Sequence, residues 1–191
     1  MKEFEHMRII AGQLRGRSLV SPQTESIRPT SDRVRQAAFN IIEHKLDFSF
    51  ADKIILDIFG GTGALGFEAL SRGAQSVTYF DTLKEAHLVA RQNAENLKLI
   101  DKIIFRQMDA LNPPMASHPV DFVFMDPPYN MQLAEKALMA FKSKNWFKKE
   151  TYFMVEELKN VNPNWPDFLT QIDERVYGKT KIIFLQIKEE T

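Results

Sequence analysis

Hydrophobic residues in this chain occur in short apolar runs and in longer stretches with one apolar face. The runs predict strands at residues 53–59, 76–81, 102–107 and 120–125. Stretches in which apolar residues recur every three or four positions predict helices at residues 31–45, 64–72, 84–97 and near 132–142. A fifth strand near 152–157 and an antiparallel pair near 172–177 and 181–188 follow. Strands and helices therefore alternate without a repeat, which predicts the α/β class.

The segment before this series is shorter and more polar. Residues 8–20 predict a small hairpin or arm that turns between Gly12 and Gly16, and a proline- and serine-rich loop leads from it to the first helix. With 191 residues, 44% of them hydrophobic, the chain can bury one good core. We expect a single structural unit, in which residues 1–48 form an N-terminal extension and residues 49–191 form the main α/β domain.

A glycine-rich loop follows the first predicted strand. Gly60-Gly61-Thr62-Gly63 leads into the helix that begins near Ala64, so the backbone can turn sharply and lie close to an anionic ligand. Gly61, Gly63 and Gly66 also satisfy the dinucleotide fingerprint G-x-G-x-x-G. The loop by itself therefore fits NAD as well as any other adenosine-containing cofactor.

Acidic residues end the next two predicted strands. Asp81 lies roughly 20 residues beyond the glycine loop, where an acid conventionally binds ribose hydroxyls. Asp109, followed by Ala110, ends the third strand, where a carboxylate can accept from an adenine amino group. Singly, each acid could be an ordinary solvated strand-end residue. Together they predict an adenosine-shaped slot at the carboxyl edge of a parallel sheet.

The segment Asp126-Pro127-Pro128-Tyr129 follows the fourth predicted strand and fits methyl transfer to a planar amine. Such an amine is a poor nucleophile until acceptors on its N–H bonds pull the nitrogen toward a tetrahedral shape. The Asp126 carboxylate and the Pro127 carbonyl can accept those bonds, while the Tyr129 ring stacks on the base. The alternative is a strand end followed by a proline-stiffened turn.

In order along the chain, these motifs resemble those of S-adenosylmethionine-dependent amino-methyltransferases. Within that class, the sequence most resembles the bacterial family that methylates guanine N2 in small-subunit ribosomal RNA. This resemblance covers residues 7 to about 187. Gly61 stands where that family usually has alanine, Asp81 where it more often has glutamate, and six residues precede Met7. The segments that carry this closer likeness are residues 7–12, 15–17, 28–35, 39–40, 64–66, 68–74 and 177–180.

The resemblance implies a doubly wound, Rossmann-like methyltransferase fold with a mostly parallel seven-stranded sheet and an antiparallel C-terminal strand. It also implies S-adenosylmethionine as cofactor, ribosomal RNA or a 30S assembly particle as partner, and a catalytic role for residues 49–191. Asp126, Pro127 and Tyr129 are the expected catalytic residues. The expected cofactor-binding residues are Asp57, Phe59, Gly60, Gly61, Gly63, Asp81, Asp109 and Ala110.

The formal net charge is zero, which is unusual for a protein that meets a polyanion. Residues 7–36, however, carry six arginines against only Glu25 and Asp32, a local excess of four positive charges. The arginine guanidinium forms bidentate hydrogen bonds with phosphate and stacks on bases. An ordinary solvated surface would also account for these charges. The candidate RNA-binding residues are Arg8, Arg15, Arg17, Arg28, Arg33 and Arg35.

The cysteine and histidine content and the length of the apolar runs bear on metal binding and membrane insertion. The chain has no cysteine and its four histidines lack paired ligand spacing, so no metal site is expected. No apolar run could span a membrane, and we expect a cytoplasmic monomer. A nicotinamide-dependent oxidoreductase, a DNA or protein-amide methyltransferase, and a noncatalytic RNA-binding module remain as alternatives.

Overall fold

The computed structural model describes residues 7–21, 32–128 and 133–188. Within them, four helices and seven strands follow the N-terminal hairpin of residues 7–19, and a short 3-10 turn at Ile100–Lys102 precedes the third strand. The helices are α1 (Asp32–His44), α2 (Ala64–Ser71), α3 (Lys84–Leu97) and α4 (Leu133–Ser143). The strands are β1 (Ile54–Ile58), β2 (Ser76–Asp81), β3 (Ile103–Gln107), β4 (Val120–Met125), β5 (Phe147–Leu158), β6 (Leu169–Tyr177) and β7 (Thr180–Ile187).

The strands form one mixed sheet in the order β3-β2-β1-β4-β5-β7-β6. The first five in that order are parallel, and β7 pairs antiparallel with both β5 and β6. The predicted fold class is therefore confirmed. Because the order reverses at β1, with β2 on one side and β4 on the other, the carboxyl end of β1 is the topological switch point where such sheets bind ligands.

Two hydrophobic clusters cover the two faces of this sheet. In β4, Phe122 and Phe124 point into one cluster, whereas Val123 and Met125 point into the other, as the two-residue period of a strand requires. The first cluster takes its helical residues from α1, α2 and α3 and includes Met7, Ile9 and Leu19 of the N-terminal hairpin. The second takes its helical residues from α4. The hairpin is thus packed into the same core as the sheet.

The fifth strand is longer than its pattern predicts, since β5 begins at Phe147 rather than near residue 152. The polar residues Lys148, Lys149 and Glu150 hide this start. The register between β4 and β5 shifts there, and the buried Thr151 hydroxyl accepts from the Lys148 N–H at 2.9 Å and donates to the Val120 carbonyl at 2.7 Å. The polar run is therefore an irregularity inside the strand.

The N-terminal hairpin turns where the glycines predict. Arg8 and Ser18 form an antiparallel bridge, and the Ile9 N–H donates to the Arg17 carbonyl at 2.9 Å. Gly12 and Gly16, on either side of the turn, have φ angles of 78° and 83°. In the described ranges, 7–21, 32–128 and 133–188, no helix is long and apolar enough to cross a membrane.

Candidate active site at the carboxyl ends of the strands

The sheet register brings the glycine loop and the proline-paired segment to the same edge. Ile58, the last residue of β1, is paired with Phe80 of β2 and with Met125 of β4. Because all three strands run in parallel, the residues after each of them emerge at one rim. The loop at residues 60–63 and the segment at residues 126–128 are therefore neighbours there.

The glycine loop has a shape that only a few residue types adopt without strain. Gly61 and Gly63 have φ angles of 53° and 80°, and Phe59 adopts a left-handed φ of 62°. A Cβ atom on Gly60 would lie 2.3 Å from the ring of Tyr79, so only glycine fits above this β2 side chain. The Tyr79 hydroxyl also donates to the Gly61 carbonyl at 2.7 Å. The loop is thus supported from β2.

Asp57 supports the same loop from below, through the start of α2. Asp57 is 2% exposed, and its Oδ2 accepts a hydrogen bond from the Gly66 N–H at 3.1 Å. Desolvation raises the pKa of Asp57 from 3.8 to about 7; the Gly66 bond opposes this shift and the nearby Asp81 adds to it. A buried carboxyl group with a pKa near neutrality is a common feature of functional sites.

Asp81 connects the ends of β1, β2 and β3. Its Oδ2 accepts from the Gly61 N–H at 3.0 Å and its Oδ1 from the Leu83 N–H at 2.9 Å, while its backbone carbonyl accepts from Met108 at 3.1 Å. A carboxylate has about four acceptor positions, and these two bonds within the described residues use two of them. Asp109 is exposed, and its Oδ1 accepts from the Leu111 N–H at 2.9 Å. Ala110 is buried in the second cluster.

The proline-paired segment leaves the sheet beside these groups. Asp126 is partly buried, Pro127 is buried and Pro128 is exposed. Tyr129, predicted to stack on the target base, lies outside the described residues, as does Arg28.

The N-terminal hairpin lies along α2, bound to it by two buried polar side chains that our sequence analysis did not identify as functional. The Glu68 carboxylate accepts from the Ile10 N–H at 2.8 Å and the Ala11 N–H at 3.0 Å. The Ser71 hydroxyl accepts from the Leu14 N–H at 3.0 Å. Glu68 is the one charged residue of the largely apolar helix α2, and that pattern is a signal from which its internal role could have been inferred.

Four of the predicted RNA-binding arginines lie on the surface. Arg15, Arg17 and Arg33 are exposed, and the Arg17 guanidinium donates to the Asn96 carbonyl at 3.0 Å. Arg8 has a side chain that is 67% exposed and lies 3.4 Å from the Asp32 carboxylate.

Arg35 does not join them. It is fully buried, because residues 35, 38, 39 and 42 share the inner face of α1. Its Nη2 donates to the Arg8 carbonyl and, at 2.8 Å, to Asp32. Burial lowers the pKa of Arg35, while the Asp32 and Glu68 carboxylates oppose that shift. A guanidinium enclosed in this way does not reach a phosphate, so the prediction that Arg35 contacts RNA is wrong.

Comparison with known proteins agrees with this architecture. The chain is 36% identical over 176 residues to ribosomal RNA small subunit methyltransferase D of Haemophilus influenzae, with 90% of this chain and 89% of that protein covered. The protein of the same name from Escherichia coli K12 is 33% identical over 174 residues, with 91% and 86% covered. The solved structure of the Escherichia coli protein yhhF superposes with a TM-score of 0.82 at 30% identity, with 97% and 99% of the chains covered.

The sheet order, the loop after β1 and this structural neighbour define a Rossmann-like methyltransferase fold. The model of the family described as Conserved hypothetical protein 95 matches residues 7–186. The chain belongs to that family.

Proposed function

We propose that this protein is an S-adenosylmethionine-dependent methyltransferase that acts on the exocyclic N2 amine of a guanine in small-subunit ribosomal RNA. The observation that carries the proposal is the pairing of Ile58 with Met125, which sets the segment at 126–128 beside the glycine loop. Relatives that cover most of the chain are named small-subunit ribosomal RNA methyltransferases. The choice of guanine N2 comes from the motif resemblance.

The residues at the rim fit the chemistry of this cofactor. The left-handed glycine loop and the start of α2 suit a carboxylate, which helix N-termini favour. Asp81 keeps acceptor positions for ribose hydroxyls, and Asp109 is exposed at the next strand end, where it can accept from an adenine amine. In this proposal Asp57 contributes indirectly, by holding the Gly66 N–H. Phe59, Gly60, Gly61, Gly63 and Ala110 form the remainder of the proposed cofactor pocket.

When bound, S-adenosylmethionine supplies a methyl group on a sulfonium that is already activated for transfer. The protein then has to orient the amine. Asp126 and the Pro127 carbonyl accept from its two N–H bonds, so that the nitrogen lone pair points along the transfer axis. Tyr129 stacks on the base, which is turned out of the RNA.

The RNA is proposed to bind across the extension at residues 1–48. Arg8, Arg15, Arg17 and Arg33 offer exposed guanidinium groups for phosphates, and Arg28 belongs to the same basic segment. In this arrangement residues 49–191 perform the chemistry, and the protein acts as a monomer on 30S particles or their RNA.

The test is methyl transfer from labelled S-adenosylmethionine to 30S subunits purified from cells that lack the enzyme, followed by nucleoside analysis. We expect N2-methylguanosine at one position. Replacing Asp126 with alanine should lower turnover by about 10²- to 10⁴-fold and leave cofactor affinity within about twofold, because the residue acts on the amine.

Asp101→Ala is the matched control, since Asp101 is an exposed acid at the opposite end of the sheet, just before β3. This variant should keep wild-type turnover. An active Asp126→Ala enzyme, or methylation of a group other than guanine N2, would contradict the proposal. Tight binding of NADH in place of S-adenosylmethionine would favour the oxidoreductase alternative.

A further inference from the structure

One buried asparagine of α3 joins the N-terminal hairpin to the glycine loop. Asn93 is fully buried, and its Oδ1 accepts from the Val20 N–H at 2.7 Å. Its Nδ2 donates to the Val20 carbonyl at 3.0 Å and to the Thr62 carbonyl at 3.1 Å. Thr62 is the third of the four residues of the glycine loop, and Val20 directly follows the hairpin of residues 7–19. A single amide therefore holds two segments that are far apart in the sequence.

A second contact links the same two segments. The Thr62 hydroxyl lies 3.5 Å from the Met7 sulfur, and the Met7 carbonyl accepts from the Leu19 N–H at 2.8 Å. The open end of the hairpin, residues 7 and 20, thus meets the glycine loop, while the turn of the hairpin meets the far end of α2 at Ser71. The hairpin therefore extends from the proposed cofactor pocket along the length of α2.

We propose that Asn93 couples cofactor binding to RNA binding. This inference rests on the function proposed above. A cofactor that fixes the backbone at Thr62 also fixes the amide of Asn93, and with it the end of the hairpin at Val20. RNA that then binds the hairpin loses less conformational entropy, because the end of the hairpin is already fixed. Each ligand therefore strengthens the binding of the other. Asn93 is a positioning residue, since it is buried among backbone groups and acts through Thr62 and Val20.

The amide chemistry of Asn93 provides a selective variant. In Asn93→Asp, the retained carboxylate oxygen can still accept from the Val20 N–H. The Nδ2 donor is lost, however, and a carboxylate oxygen then faces the carbonyls of Val20 and Thr62. The connection to the glycine loop is cut, although the side chain keeps its size and one of its bonds to the hairpin. Asn96→Ala is the matched control, because Asn96 is exposed on the same helix and its backbone carbonyl, which Arg17 uses, is unchanged.

The experiment compares the Kd for 30S subunits from cells lacking the enzyme, measured with and without saturating S-adenosylhomocysteine, which cannot react. For the wild type and Asn96→Ala, we expect affinity to rise about fivefold or more when the nucleoside is bound, the lower end of typical coupling. The affinity for S-adenosylhomocysteine, measured with and without saturating 30S subunits, should rise by the same factor. In Asn93→Asp the ratio should fall to near one. The affinity for 30S subunits alone and the affinity for S-adenosylhomocysteine alone should each change by a smaller factor than this ratio.

A wild-type ratio of one, or an unchanged ratio in Asn93→Asp, would overturn the coupling. Methylation of the subunits by the wild type is measured in parallel, so failure of the proposed function would show as absent methyl transfer, whatever the ratio. Should Asn93→Asp fail to fold, hydrogen exchange on the wild type decides the question. S-adenosylhomocysteine should slow exchange of the Val20 N–H, and no change at that amide would equally reject the inference.

Discussion

The stability of an Asp57→Asn variant, measured relative to the wild type in the absence of ligands, should increase as the pH rises. The carboxyl group is buried beneath the glycine loop, and its pKa is raised from 3.8 to about 7, chiefly by desolvation. Because the folded pKa lies above the unfolded value, the folded state binds the extra proton between about pH 4 and pH 7. Stability therefore falls as the pH rises through this window.

The size of the effect follows from the two pKa values. Each pKa unit corresponds to about 1.4 kcal/mol, so the raised pKa lowers the free energy of unfolding by about 4 kcal/mol at pH 8 and about 1.5 kcal/mol at pH 5. The asparagine carbonyl can still accept from the Gly66 N–H, and the cost of burying its NH₂ group does not depend on pH. The stability of Asp57→Asn relative to the wild type should therefore increase by roughly 2.5 kcal/mol between pH 5 and pH 8, and then level off.

Urea unfolding at pH 5, 6, 7 and 8 measures this difference directly, and thermal melts should show it as a change of about 5–10 °C in the Tm difference. Asp101→Asn, at an exposed position, should show no such trend. A difference between Asp57→Asn and the wild type that stays constant from pH 5 to pH 8 would refute the reasoning, because it would mean that Asp57 titrates alike in the folded and unfolded chains.

Two further predictions concern the N-terminal hairpin. Gly12→Ala should destabilise the protein by about 2–3 kcal/mol in urea unfolding, because the new Cβ would lie 1.9 Å from the Ser71 carbonyl oxygen at a φ of 78°. Gly16→Ala, at a φ of 83° with open space around it, should cost only about 1 kcal/mol, and equal losses would contradict the contact argument. Arg15→Gln and Arg17→Gln together should weaken binding to 30S subunits and lower the slope of log K against log salt by about 2; an unchanged slope would remove these residues from the RNA surface.

The chain pattern predicted the elements well where one physical signal dominated. The strands β1, β2 and β4 are apolar runs ended by glycine or acid, and each begins and ends within a residue or two of its prediction. The pattern failed at the start of β5, which lies in a polar run. There the buried Thr151 hydroxyl, rather than a backbone N–H, donates to the Val120 carbonyl of the neighbouring strand. It failed at Arg35 for a related reason. An arginine on the inner face of a helix reads as surface charge unless its spacing with Ala38 and Phe39 is taken into account.

The sequence by itself determined the local chemistry of this protein: the glycines that permit a left-handed loop, the acids that end the strands and the alternation that builds both faces of the sheet. These depend on neighbours within a few residues. The tertiary structure decided which strand ends meet, how far burial raises the pKa of Asp57, and that Asn93 binds Val20 and Thr62, which are 73 and 31 residues away in the chain. Contacts over such separations form only when the sheet order and the helix packing bring distant backbone segments together. The residues next to Asn93 in the sequence therefore do not predict them.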